Sequence, residues 1–262
     1  MISQKGTVLI TGPTSGIGLE LAKLFAKDHY NMVLVSRSST DLQHTAELLQ
    51  SLGAGEVTII PKDLSIPGQA QEVYDETRMQ NLHIDILVNN AGVGERGLFH
   101  ENDLEKELQI IQLNITSLVH LTKRYLRDMI AKGSGRIMNL ASVSSYQPTP
   151  MLAVYAASKA FILSFSDALV NELQDQNVTV TSLIPGPTDT DFFRKAHAEH
   201  TKAAQDDPED SSVVAEIGYK ALMDGSSHAV APGMRMQIVM SSAMSNQQVA
   251  SKAREFMEEN NK

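Results

Sequence analysis

The sequence contains no cysteine, so disulfides, a thiolate nucleophile and a cysteine-ligated metal are excluded, and no metal site is expected. Positive charge is scarce: 22 Lys and Arg stand against 31 Asp and Glu, a formal net charge of −9. Nucleic-acid binding neutralises phosphates and needs a basic excess somewhere. No basic stripe occurs, so no nucleic-acid partner is expected. No run approaches the roughly 20 apolar residues of a transmembrane helix. The start, MISQKGTVLITG, passes from a few polar residues into a strand-like run without a signal-peptide pattern, and the expected address is cytoplasmic. Internal repeats, low-complexity tracts and linkers are also missing. No Gly-Lys-Ser/Thr phosphate loop occurs, which argues against phosphoryl transfer.

What is present is 42% hydrophobic and 20% charged residues over 262 positions. That suffices for one substantial core, and a single α/β domain spanning 1–262 is expected. Thr7 to Thr11 is a short β-branched and apolar run ending in glycine, and the helical pattern Leu19, Leu21, Ala22, Leu24, Phe25 follows. Between them lies Gly12-Pro13-Thr14-Ser15-Gly16-Ile17-Gly18. Glycines there let backbone approach a pyrophosphate, and the helix N-terminus offers free N–H groups and a positive dipole end. Pro13 removes one donor.

The second strand, 31–36, delivers Ser36, Arg37 and Ser38. An acidic residue at such a place accepts a ribose 2′-OH, whereas an arginine flanked by hydroxyls suits a 2′-phosphate. NADP is therefore expected over NAD, and Asp41 reads as a helix cap. A helix over 41–52 leads to a third strand over 56–60, and a helix over 69–79 to a fourth over 84–88, which runs into Asn89-Asn90-Ala91-Gly92. Asn114 separates two apolar-periodic stretches, 104–113 and 115–130. A fifth strand, 136–140, precedes Ser142, a helix covers 152–175, and a sixth strand, 178–184, empties into Pro185-Gly186-Pro187-Thr188-Asp189-Thr190. The polar segment 191–212 reads as a lid, with Phe192 and Phe193 its bulky apolar pair. A helix over 213–223 and a strand over 228–231 complete about seven strands alternating with helices. That pattern predicts a doubly wound parallel sheet, the Rossmann fold.

Tyr155 and Lys159 stand four residues apart in the helix over 152–175. They share one face, one turn apart, so the ammonium is expected to favour the phenolate and bring the phenol's proton exchange closer to neutral pH. Ser142 lies thirteen residues before Tyr155, at the mouth of the fifth strand.

This serine and Y-x-x-x-K, with the glycine spacing G-x-x-x-G-x-G and the stretch N-N-A-G, resemble the short-chain dehydrogenase/reductase family. The resemblance covers residues 6 to about 232. It departs at Pro13, where relatives more often carry a small residue, and at Ala141, where many carry a second serine. It implies hydride transfer between a nicotinamide and a carbonyl or secondary alcohol, with Ser142, Tyr155, Lys159 and Asn114 catalytic. By the same resemblance, Tyr155 and Lys159 also bind cofactor, Lys159 at the ribose. Asn114 kinks its helix and holds a water that links the lysine to solvent. Asp63 and Leu64 flank the adenine. Asn90, Ala91 and Gly92 brace the cofactor floor, and Pro185, Gly186, Thr188 and Thr190 wrap the nicotinamide and phosphates. Relatives assemble through the helices after Asn114 and around Tyr155, so a homodimer or homotetramer is expected.

The residues around the site, Val93, Ser144, Thr149, Met151, Phe192 and Phe193, suggest an apolar small-molecule substrate: a ketone, a 3-oxoacyl thioester or a steroid-like molecule. Fold and cofactor do not choose among them. A non-catalytic NADP-binding scaffold of the same fold remains the alternative, with an epimerase below it because of the glycine spacing. Beyond the resemblance, 234–262 forms an extension whose last helix aligns Val249, Ala253, Phe256 and Met257. It packs on the body or a second subunit, or lines an apolar mouth or a membrane contact.

Overall fold

A computed structural model describes residues 5–205 and 208–258. The aliphatic runs become β1 Thr7–Thr11, β2 Asn31–Ser36, β3 Val57–Pro61, β4 Ile86–Asn89, β5 Gly135–Leu140 and β6 Val178–Ile184. Two two-residue strands follow, β7 Thr188–Asp189 and β8 Glu209–Asp210, and then β9 His228–Val230. The helices are α1 Gly16–Lys27, α2 Ser39–Ser51, α3 Gln69–Met79, α4 Leu104–Ile111, α5 Leu118–Lys132 and α6 Ala153–Glu172. After them come α7 Phe192–Lys195, α8 Lys202–Gln205, α9 Ser211–Asp224, α10 Met234–Ser242 and α11 Asn246–Met257.

Seven strands form one parallel sheet in the order β3-β2-β1-β4-β5-β6-β9, the doubly wound sheet expected. Alternate residues of a strand point to opposite faces. Val8 and Ile10 of β1 therefore enter one core with Leu21, Phe25 and Met32, while Leu9 enters the other with Leu87, Tyr125 and Ile137. Both faces are covered by helices, which is why these strands read as continuous apolar runs. β1 pairs with β2 on one side and β4 on the other. Strand order reverses there, which opens a crevice at the carboxyl ends of the strands, where such sheets bind ligands.

Several boundaries differ from expectation. Ser38, not Asp41, caps α2: its hydroxyl accepts the Asp41 N–H at 3.1 Å, and Asp41 sits in the first turn. Asn114 falls inside a π-helical segment, Gln112–Ser117, that joins α4 to α5, an irregularity where the resemblance implied a kink. The polar segment after Asp191 forms α7 and α8, and β8 pairs with β7 through Thr188–Glu209 and Asp189–Asp210. Among the described residues, α6 is long and apolar enough by length and composition to cross a membrane, contrary to the sequence expectation. Here it buries Ile162, Leu163, Ser166 and Leu169 against the body.

Candidate active site

The glycine loop is fixed by sterics. Gly12 and Gly16 have φ of 66° and 53°, the left-handed region that other residues avoid. Gly18 is constrained by space, since a Cβ there would stand 2.3 Å from both Asn90 Nδ2 and the Gly12 carbonyl oxygen. Asn90 Nδ2 donates to the carbonyls of Thr11 and Gly12, each at 2.9 Å. The Thr11 hydroxyl accepts the N–H groups of Asn90 and Ala91, each at 3.0 Å. Together these bonds lock the exits of β1 and β4. Ser15 precedes α1 with extended backbone and makes no capping bond with its side chain, so the unsatisfied donors of the first turn stay available to an anion.

One cavity of about 680 Å³ joins this loop to the tyrosine. Gly12, Thr14, Ser15, Gly16 and Ile17 line it, as do Ser36, Arg37 and Ser38 at the end of β2. Asp63 and Leu64, then Asn90, Ala91 and Gly92, and then Pro185, Gly186, Thr188 and Thr190 complete the expected cofactor wall. Gly18 lies behind that wall, against Asn90. The Asp63 carboxylate accepts the N–H of Ser65 at 2.9 Å and its hydroxyl at 2.6 Å. Lys62 and Asp41 line the same end, and Lys62 is held by Glu72 at 2.6 Å. Sequence reading missed Lys62, although its place one residue before Asp63 at the mouth of β3 was signal enough.

Ser142, Tyr155 and Lys159 meet on one side of the cavity. The loop between β5 and α6 is clamped by Ser145, whose hydroxyl donates to the Lys159 carbonyl at 2.8 Å and accepts the Ser142 N–H at 3.2 Å. Lys159 Nζ donates to the Leu140 carbonyl at 2.7 Å and lies 5.7 Å from the centre of the Tyr155 ring. Burial pushes the phenol up to about 12, opposed by a hydrogen bond with Ser142. Burial also pulls the Lys159 ammonium down to about 8. The expectation of a phenol shifted toward neutrality is therefore reversed: desolvation outweighs the hydrogen bond with Ser142.

Asn114 is buried off the cavity wall. Its Oδ1 accepts the Val93 N–H, and its Nδ2 donates to the Val93 carbonyl and the Ser158 hydroxyl, all at 3.0 Å. It nevertheless flanks the site, because a Cβ on Gly92 would stand 3.3 Å from Asn114 Oδ1 and 3.4 Å from Lys159 Nζ.

Val93, Ser144, Thr149, Phe192 and Phe193 line the far side as expected, but Met151 does not. Met151 has φ of 66° and packs behind the wall against the cluster around Met257. The Phe192 ring centre lies 4.9 Å from that of Tyr155. Gly94, unremarked in the sequence, sits at this contact, where a Cβ would stand 2.9 Å from Phe192 and 3.3 Å from Tyr155. The C-terminal extension packs on the body, with Met234, Ala253, Phe256 and Met257 on the cavity wall. Val249, Ala253 and Met257 are buried, whereas Phe256, on the same wall, is 53% exposed.

A family model described as short chain dehydrogenase matches residues 6–201. The ketoacyl reductase HetN of Nostoc sp. is 33% identical over 180 residues, 69% of this chain and 62% of that protein. The very-long-chain 3-oxoacyl-CoA reductase of Anas platyrhynchos is 34% identical over 184 residues, 68% of this chain and 58% of that protein. The chain thus spans less than two thirds of either relative. A solved short-chain dehydrogenase from Sphingobium yanoikuyae in complex with NADPH superimposes with a TM-score of 0.83 at 27% identity, covering 94% of this chain and 96% of the other.

Proposed function

This chain belongs to the short-chain dehydrogenase family, and from that premise we propose that it is an NADP(H)-dependent oxidoreductase reducing the carbonyl of an apolar substrate, a ketone, a 3-oxoacyl thioester or a steroid-like molecule. The observation that carries this reading is the single cavity whose wall includes the glycine loop, Arg37, Ser142, Tyr155 and Lys159.

The residues present fit a nicotinamide dinucleotide. The uncapped start of α1 and the loop from Gly12 to Ile17 would hold the pyrophosphate. Arg37, between Ser36 and Ser38, would hold a 2′-phosphate, with Lys62 as a second cation at that end. Asp63 and Leu64 would face the adenine, Lys159 the ribose, and the segments Asn90 to Gly92 and Pro185 to Thr190 the nicotinamide half. When bound, the reduced nicotinamide supplies the hydride.

Ser142 donates a hydrogen bond to the substrate carbonyl oxygen, and Tyr155 gives that oxygen its proton as negative charge develops. The raised phenol pKa keeps Tyr155 in the acid form at neutral pH. Lys159, an ammonium below about pH 8, stabilises the phenolate left behind. Asn114 holds the backbone of Val93, and so the wall beside Gly92 and Lys159.

Two relatives named for 3-oxoacyl or ketoacyl reduction support the substrate class, and the NADPH-bound neighbour supports the cofactor. The chain is further proposed to form a homodimer or homotetramer, since Leu104, Leu108 and Ile111 leave an apolar stripe exposed along α4. Loss of NADPH absorbance over a panel of ketones and 3-oxoacyl thioesters tests the reading. Turnover of any of them, absent with NADH at equal concentration, supports it. Tight NADPH binding without turnover across the panel would favour the scaffold alternative.

A further inference from the structure

The wall of the cavity beyond Tyr155 is finished by a part of the chain that the family match, ending at residue 201, does not reach. Val249, Ala253 and Met257 recur every four residues along one face of α11, and all three are buried. Met257 packs in one cluster with Leu152, Ala196 and Ala198, and Tyr155 and Phe192 pack against that same cluster. Ala253 and Met257 also line the cavity. They therefore face both the protein interior and the space beside the phenol, which a purely structural helix face would not do.

The last carbonyls of a helix have no partner within it. At the end of α11 two carbonyls, one in its last turn and one at the residue that follows, are met from elsewhere. The Met257 carbonyl accepts from Arg96 Nε at 2.9 Å, and the Glu258 carbonyl accepts the Lys202 N–H at 3.3 Å. Arg96 is itself anchored: its N–H donates to the Ala196 carbonyl, and the next N–H, from Gly97, donates to the Met151 carbonyl, each at 2.9 Å. A cation at a helix C-terminus also meets the negative end of the dipole. Arg96 thus joins the loop after β4, the end of α7 and the C-terminal helix, and Gly97 beside it ties the same loop to the turn before α6.

We propose that Arg96 is the positioning residue that seats α11, and that Ala253 and Met257 set how large an apolar body the site admits beside the reacting carbonyl. The proposal rests on the ketone-reduction reading and deepens it. Methionine adapts to irregular neighbours, so Met257 tolerates a range of shapes but limits length. Shortening it lengthens the pocket, and enlarging Ala253 narrows it.

The test uses acetophenone, butyrophenone and hexanophenone as probes on the full chain, with dissociation constants taken by calorimetry on the NADP+-loaded protein and turnover measured separately with NADPH. Met257→Ala is expected to shift preference toward hexanophenone over acetophenone by about tenfold, and Ala253→Leu to shift it about tenfold the other way, the usual effect of a methylene or more in an apolar pocket. Arg96→Leu is expected to raise KM for all three ketones while holding kcat. In the protein without cofactor, it is expected to speed amide hydrogen exchange in the last turn of α11 by roughly tenfold, the loss of one charge-assisted bond. Arg96→Lys restores both. An unchanged size preference in both pocket variants, or unchanged exchange in Arg96→Leu, overturns the proposal. If the ketones bind with the expected shifts but no form turns them over, the reductase reading fails while the size-setting role of α11 stands.

Discussion

At the mouths of β1, β2 and β4 the cavity wall is backbone held by backbone and by the amide of Asn90, whereas beyond Tyr155 it is made of side chains from segments as far apart as Val93, Phe192 and Met257. The first region tolerates almost no added atom, as the space at Gly18 shows. The second is assembled from methionine, phenylalanine and alanine, whose packing can change in size without moving the sheet. On the proposed reading the rigid floor would hold the cofactor and the adjustable roof would face the substrate. Tyr155 stands at the seam, its ring against Phe192 and its lysine bonded to the end of β5.

Breaking the seam gives the largest expected effect. Tyr155→Phe should lower ketone turnover by about 10²–10⁴-fold, the usual contribution of a placed acid, and leave NADPH affinity nearly intact by fluorescence titration. Retained turnover would detach the chemistry from this residue.

Lys159→Met should inactivate the enzyme yet stabilise the fold. The folded lysine has its pKa lowered from 10.5 to about 8 by burial, so holding it charged at pH 7 costs about 3 kcal/mol, partly offset by about 1 kcal/mol from its bond to Leu140. The sign follows from the depressed pKa. Between pH 8 and 10.5 the unfolded chain binds a proton that the folded chain has released, so wild-type stability gains on the variant as pH rises through that window. Urea unfolding at pH 7 and pH 10 measures the gap, and a gap that does not shrink would contradict the burial argument.

On the cofactor side, Arg37→Asp should weaken NADPH binding relative to NADH by about tenfold or more, the loss of a charge-assisted contact. Equal affinities before and after would remove the 2′-phosphate from Arg37. The smallest effect on the substrate side is expected from Gly18→Ala. Forcing a methyl between Asn90 and the Gly12 carbonyl should cost about 1–3 kcal/mol in thermal unfolding, with no change in which ketones are accepted.

The same contrast explains what could be read before the structure was known. The floor consists of local signals, a glycine spacing, an arginine after a strand, an asparagine pair, and each sits within a few residues of the element that positions it. The doubly wound parallel sheet and most of the cavity wall at that end follow from them. Gly94 and Arg96 carry no local signal, because their roles arise only where separated segments meet, and the periodicity that marks Met257 does not say which of several surfaces its face meets. Met151 was misplaced for that reason: sequence proximity to Tyr155 put it in the pocket, while its left-handed backbone turns it behind the wall. The phenol's pKa lies beyond the sequence likewise, since the spacing of the pair does not show how deeply the ring is buried.

The most direct test of an acid site made by burial is the pH dependence of kcat/KM for ketone reduction. Tyr155, held up to about 12, stays protonated throughout, and Lys159 is the group that titrates, at about 8. The rate should therefore be flat near neutrality and fall as pH rises through about 8. A rate that climbs through the same range would mean that the reaction needs the deprotonated form, and would contradict Tyr155 as the proton donor.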